Sequence, residues 1–129
     1  NGRLYTYIRM REYSKEKIMP LISPQEIQLL HNYVCQSVND PKRIQILYAL
    51  YDRPKHVSAL AELLDMPQPT VSRHLALLRQ RLLVTAERNG SAVVYRLSDP
   101  RIVDVLEQMR SILREMLEHQ AEVLDGQSE

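Results

Sequence analysis

Residues 58–97, SALAELLDMPQPTVSRHLALLRQRLLVTAERNGSAVVYRL, change their hydrophobic period twice, and those changes decide the fold. From Ser58 to about Leu64 the apolar residues Leu60, Leu63 and Leu64 recur at helical spacing and predict a short helix with these three inward. Asp65-Met66-Pro67 predicts a turn, because proline disfavours helical geometry in the residue before it. From Gln68 to about Arg81, Val71, Leu75 and Leu78 stand at i, i+4 and i+7, the core face of a second helix. The period then drops to that of strands. Leu83–Arg88 and Ala92–Leu97 predict a hairpin closed by Asn89-Gly90, a dipeptide suited to a turn with positive φ at both central positions.

Outward from this stretch, the same punctuation marks three more helices. Ser23-Pro24 supplies a cap and a first-turn proline, and Ile27, Leu30, Val34 and Val38 predict an amphipathic helix over 24–38. Asp40-Pro41 starts another, with Ile44, Leu47, Tyr48 and Tyr51 as its buried stripe, ended by Pro54. Ser98-Asp99-Pro100 opens a last helix over about 101–124, roughly 35 Å long. In it Ile102, Met109, Met116 and Val123 recur every seven residues, with Val105 and Ile112 at the intervening seam positions. The expected architecture is therefore mostly α with a small β-hairpin wing: a winged helix-turn-helix that dimerises through its first and last helices. Residues 1–20 form a basic N-terminal arm, 21–125 the DNA-binding and dimerisation domain, and 126–129 a frayed tail.

Composition narrows the function. The chain has 129 residues, 44% apolar and 26% charged, which suits one soluble domain. Its three glycines, Gly2, Gly90 and Gly126, exclude a P-loop and a GxGxxG turn. A single cysteine excludes an internal disulfide and any site needing two thiolates from one chain, as expected of a reducing, cytoplasmic setting. No apolar run is long enough for a membrane span, and none at the start of the given sequence reads as a signal-peptide h-region, so neither is expected. The four histidines, His31, His56, His74 and His119, fall on different predicted elements, so no nucleophile-base pair is suggested and no enzyme is expected.

The net charge of +1 conceals a segregation. Residues 68–96 carry five arginines against Glu87 alone, whereas residues 101–129 carry three arginines against seven acidic residues. The basic segment coincides with the helix-turn-helix and hairpin. Held by its partner helix, the helix over 68–81 presents its amino end to a DNA major groove, which is about 12 Å wide. Gln68, Thr70, Ser72 and Arg73 are then the candidates for base edges, and His74, Arg79 and Arg81 for phosphates. Arg88 on the hairpin is placed for the backbone or minor groove, with Arg96 assisting. The competing reading is a winged-helix protein-interaction module without direct DNA readout. Such a face would more often expose aromatic and aliphatic anchors.

Residues 40–97 resemble the ArsR/SmtB family of bacterial winged-helix repressors, most closely in QPTVSRHLALLR at 68–79 and VVYRLSD at 93–99, with Asp40-Pro41 and Arg43-Ile44 upstream. The resemblance implies a homodimer on a palindromic double-stranded operator that represses transcription and releases DNA when an inducer binds. The inducer itself is not named by it. Where the family usually has glycine after the recognition helix, this chain has Leu82, so an exit other than a left-handed cap is expected there.

The family's sensor sites are broken in this sequence. His56-Val57-Ser58 replaces the thiolate run of one site; for the other, Asp104 would be followed by Leu106, Leu117 and Gln120. No cofactor is therefore expected. The remaining metal candidates are His119 and Glu122, three residues apart, which paired across a dimer axis could offer four ligands to zinc. The plainer reading is a solvated histidine near a helix end. Cys35 reads as a small buried hydrophobe, or alternatively as a redox switch that pairs across the dimer.

Overall fold

The computed structural model describes residues 22–127. Helix α1 spans Pro24–Leu30, and its coil continues as a π turn over His31–Cys35. Helices α2 (Pro41–Asp52), α3 (Val57–Leu64) and α4 (Gln68–Gln80) come next, with the short strand β1 (Lys55–His56) between α2 and α3. Strands β2 (Val84–Asn89) and β3 (Ala92–Leu97) then lead into α5 (Arg101–Gln127). All three strands make one antiparallel sheet in the order β1-β3-β2. Two residues of β1, which no alternation in the sequence announces, are recruited by the free edge of β3, with Lys55 opposite Tyr95.

Local chemistry explains where the helices begin. Ser23 accepts a hydrogen bond from the Glu26 amide at 3.2 Å, and Asp40 accepts one from Lys42 at 2.9 Å, each just before a first-turn proline. Asp99 accepts from the Arg101 amide at 2.9 Å and from the Arg101 guanidinium, which holds its carboxyl down to about 2.

The core lies where α2, α3 and α4 meet the sheet. Ile46, Leu47 and Leu50 of α2, Leu60 of α3, Val71, Leu75 and Leu78 of α4, and Leu83 and Val84 at the start of β2 are buried together. Among the described side chains of α5, Val103 alone is fully buried. Burial of each such side chain contributes roughly 1.5–3 kcal/mol.

The helix boundaries agree with the sequence reading to within a few residues, but several side chains do not. Leu63 is 59% exposed and Tyr51 49% exposed, although their spacing predicts both inward. Tyr51 lies at the edge of α2, where its hydroxyl donates to Asp104 at 2.9 Å. The first helix is not regular over 24–38: the Gln36 amide bonds to the His31 carbonyl, five residues back, and none of residues 24–35 is buried. At the other end, α5 runs on through Gly126 to Gln127. The arm expected over residues 1–20 lies outside the described residues.

Besides Asp65 between α3 and α4, two turns carry positive φ. The hairpin loop is Gly90-Ser91 rather than Asn89-Gly90, since Asn89 still pairs with Ala92. Only the first loop residue, Gly90, has positive φ (67°), the demand of a II′-like turn. Leu82 has φ 66° and ends α4 in the left-handed conformation, against the expectation of a different exit. The geometry is a Schellman cap: Leu82 donates to the Arg79 carbonyl at 3.1 Å and Leu83 to the Leu78 carbonyl at 2.9 Å. Burial of Leu83 and Val84 requires the chain to reverse at this point, and the two cap bonds offset the strain.

Because Leu82 is 68% exposed, its removal costs no core packing. Leu82→Gly is expected to raise the urea midpoint without changing the slope, a gain of about 1 kcal/mol. An unchanged or lower midpoint would show that the left-handed leucine is not strained.

Candidate nucleic-acid interface

Helix α4 owes its orientation to a period-compatible set of four residues. Val71, His74, Leu75 and Leu78 face inward, and all are buried. The opposite side is polar. Gln68, Ser72, Arg73 and Arg79 are exposed and Thr70 is half-buried. Asp65, with φ 52°, ends α3 in the left-handed region, and Pro67 then sets α4 going in a new direction. This corner holds the amino end of α4 away from the core.

That amino end is chemically bare. No side chain caps it, and no acidic residue stands in its first turn. Unpaired amides at a helix start carry partial positive charge and suit an anion such as a phosphate. Among the described residues, Arg73, Arg79 and Arg88 take part in no ion pair. Arg96, on β3, is exposed but lies 3.4 Å from Glu87 on β2, so its charge is partly compensated within the wing. Arg88 sits one residue before Asn89, at the tip side of the hairpin.

His74 is placed differently from its expected role at a phosphate. It is only 6% exposed. Its Nδ1 lies 3.3 Å from a guanidinium nitrogen of Arg43, and its Nε2 lies 3.9 Å from the Asp40 carboxylate. Burial foremost, aided by Arg43, Arg73 and Lys42, pushes its pKa below the ordinary histidine value despite the opposing pull of Asp40. A side chain so enclosed does not reach DNA. The signal was in the sequence, because 71, 74, 75 and 78 follow the i, i+3, i+4, i+7 stripe. Arg81 is likewise half-buried, and its Nε has no hydrogen-bond partner among the described residues.

The other candidates lie apart from this surface. His119 and Glu122 are exposed on α5, and among the described residues no group of three His, Cys, Asp or Glu side chains is arranged to hold a metal ion. Cys35 is an exposed free thiol on the π turn, not a buried hydrophobe.

A second surface is apolar. Ile27 and Leu30 on α1 and Val34 on its π turn are exposed, and on α5 so are Val105, Met109, Ile112, Leu113, Met116 and Val123. An open groove of ≈ 910 Å³ between α2, α3 and α5 adds Ile44, Leu63 and Leu64 to this surface. Two hydrogen bonds fix α5 against α2: Tyr48 donates to Glu107 at 2.7 Å and Tyr51 to Asp104 at 2.9 Å. Both phenols are held above their ordinary pKa, Tyr48 by burial first and then by Glu107, and Tyr51 by Asp104. Among the described residues no helix is long and apolar enough to cross a membrane.

Residues 40–85, from the cap of α2 into β2, match the family model described as "Bacterial regulatory protein, arsR family". The transcriptional regulator KmtR of Mycobacterium tuberculosis is 41% identical over 69 residues, which are 54% of this chain and 53% of KmtR, so the chain spans little more than half of that relative. The transcriptional regulator Rv0081 of the same organism is 31% identical over 86 residues, 66% of this chain and 75% of Rv0081. Its crystal structure superposes with a TM-score of 0.68 at 27% identity, covering 77% of this chain and 98% of the other. A solution structure of the homodimeric winged helix-turn-helix DNA-binding domain of Mb0332 from Mycobacterium bovis gives 0.65 at 28% identity, covering 78% and 95%. With the winged helix-turn-helix, the bare basic end of α4 and these matches in agreement, the chain belongs to the arsR family of bacterial regulatory proteins.

Proposed function

We propose that this protein is a homodimeric, sequence-specific DNA-binding transcriptional regulator of the cytoplasm. In this reading it is a repressor that leaves a palindromic operator when an inducer binds, and it has no catalytic role. The observation that carries the reading is the division of α4. One side is locked into the core, while the other presents Gln68, Ser72 and Arg73 to solvent at an uncapped helix start. Arg73 is the residue for a guanine edge, Gln68 for an adenine, and Thr70 or Ser72 for either base or a thymine methyl. Arg79 and Arg88 position the protein on phosphates, with Arg96 in a lesser part because of Glu87.

The dimer comes from the second surface. A helix of 27 residues is about 40 Å long, and its apolar seam continues past the last buried residue, Val103. Pairing α1 and α5 about a two-fold axis covers that seam. It also sets two α4 helices at successive major-groove faces, about 34–36 Å apart. The likeness to the homodimeric DNA-binding domain of Mb0332 supports a homodimer. No cofactor enters the reading, and DNA binding is expected to survive treatment with a chelator unchanged.

Selection of bound duplexes from a random pool tests the proposal directly. Palindromic sites should emerge, and with eight phosphates neutralised per dimer the log–log salt slope should be about −7. A slope near zero would favour a protein-binding role instead. Arg73→Ala is expected to relax preference at one base position at a cost of about 1–3 kcal/mol, whereas Arg88→Ala should weaken all sequences alike. Uniform losses from both would show that these contacts were assigned to the wrong class. Met109→Glu with Met116→Glu should sediment as a monomer and bind the selected DNA about 100-fold more weakly; a dimer of unchanged affinity would remove α5 from the interface.

A further inference from the structure

Arg43, in the first turn of α2, joins three parts of the molecule through one side chain. Its Nε donates to the carbonyl of Ser37 at 2.6 Å, and a terminal nitrogen donates to the carbonyl of Gln36 at 3.1 Å. These carbonyls lie at the exit of α1. The other terminal nitrogen lies 3.3 Å from Nδ1 of His74, in the middle of α4, and 3.8 Å from the Asp40 carboxylate. A guanidinium only donates and stays charged, so Nδ1 must offer a lone pair. His74 is therefore neutral here, with its proton on Nε2, the nitrogen 3.9 Å from Asp40.

The joint matters because packing does not hold α1. No residue of α1 or its π turn is buried, whereas in the connection between the π turn and α2 Ser37 is buried and Val38 packs half-buried against the core. If α1 lies at the two-fold interface, its angle to α4 sets how the two recognition helices are spaced. We propose that Arg43 is a positioning residue for DNA recognition: through neutral His74 it locks the recognition helix to the exit of the first helix, and operator affinity depends on His74 remaining an acceptor. This rests on the DNA-binding reading above.

Protonation of Nδ1 would turn the acceptor into a donor facing a cation. The groups around His74 are Asp40 from the α1–α2 connection, Lys42 and Arg43 from α2, and Arg73 from α4 itself. Only Asp40 favours the proton, and burial opposes it most. A histidine whose folded pKa is depressed contributes stability that is present above 6.5 and is lost as pH falls through the lower folded value. The joint is thus closed at neutral pH and opens on acidification.

The test uses duplex DNA selected by the wild-type protein, with affinity measured from about pH 8 down to the lowest pH at which sedimentation and circular dichroism still show a folded dimer. Wild type should weaken about tenfold on acidification while remaining a folded dimer, the loss of one charge-assisted bond. His74→Asn offers an oxygen acceptor that does not titrate; it should bind within about threefold of wild type at the higher pH and give a flat profile. Arg43→Lys, which keeps the charge but not the fork, should bind about tenfold more weakly throughout. Parallel profiles for wild type and His74→Asn, or wild-type affinity in Arg43→Lys, would overturn the inference. If Arg43→Lys does not fold, the comparison of wild type with His74→Asn decides it alone. Failure of wild type to select any DNA would instead remove the DNA-binding reading, and this inference with it.

Discussion

Burial of Val71, His74, Leu75 and Leu78 against α2, α3 and the sheet is the constraint on which the remaining structure depends. A helix has one rotation about its own axis that hides these four side chains. That rotation leaves Gln68, Ser72, Arg73 and Arg79 on the outside. The polar side is therefore determined by the apolar one, and a slip of one residue would turn it through about 100°. Three of the four inward residues are aliphatic; the fourth is a histidine that had to find a partner, and Arg43 supplies it.

The same constraint accounts for the strain at each end of the recognition unit. Asp65 and Leu82 are the non-glycine residues with positive φ among the described residues, and they bracket α4. The Met66 amide returns to the Ala61 carbonyl at 3.0 Å, and the Leu83 amide to the Leu78 carbonyl at 2.9 Å. Each helix thus has carbonyls of its last turn satisfied although no glycine is present. Aspartate tolerates the left-handed region better than leucine does. At Leu82 the burial of Leu83 and Val84, which carries the chain into the wing, outweighs a local cost of about 1–2 kcal/mol.

The outer helices obey a different logic. Helix α5 contributes Val103 to the core and is tied to α2 by Tyr48 and Tyr51, beyond which Met109, Ile112, Met116 and Val123 of its apolar seam stay exposed among the described residues. Helix α1 has no buried residue and is attached by a polar bracket. Folding of the winged core and closure of the seam are consequently separable. The first is complete within one chain, and the second calls for another surface.

Much of this was written in the chain. Periodicity placed α2 to α5 and the hairpin, because each of these segments buries a regular stripe and is bounded by Ser, Asp, Asn, Gly or Pro with a clear backbone preference. Arginine placement singled out the outward side of α4 and the wing. Tertiary structure alone decided what depends on neighbours distant in sequence. Strand β1 exists because β3 has an edge to offer it. Leu63 and Tyr51 fall outside because the core closes before reaching them. Leu82 takes a left-handed turn because burial of the next two residues demands a reversal. His74 meets a guanidinium inside the fold because Arg43, 31 residues earlier, is folded against it. Local patterns report which side of a helix is apolar; they carry no record of which distant group will meet it.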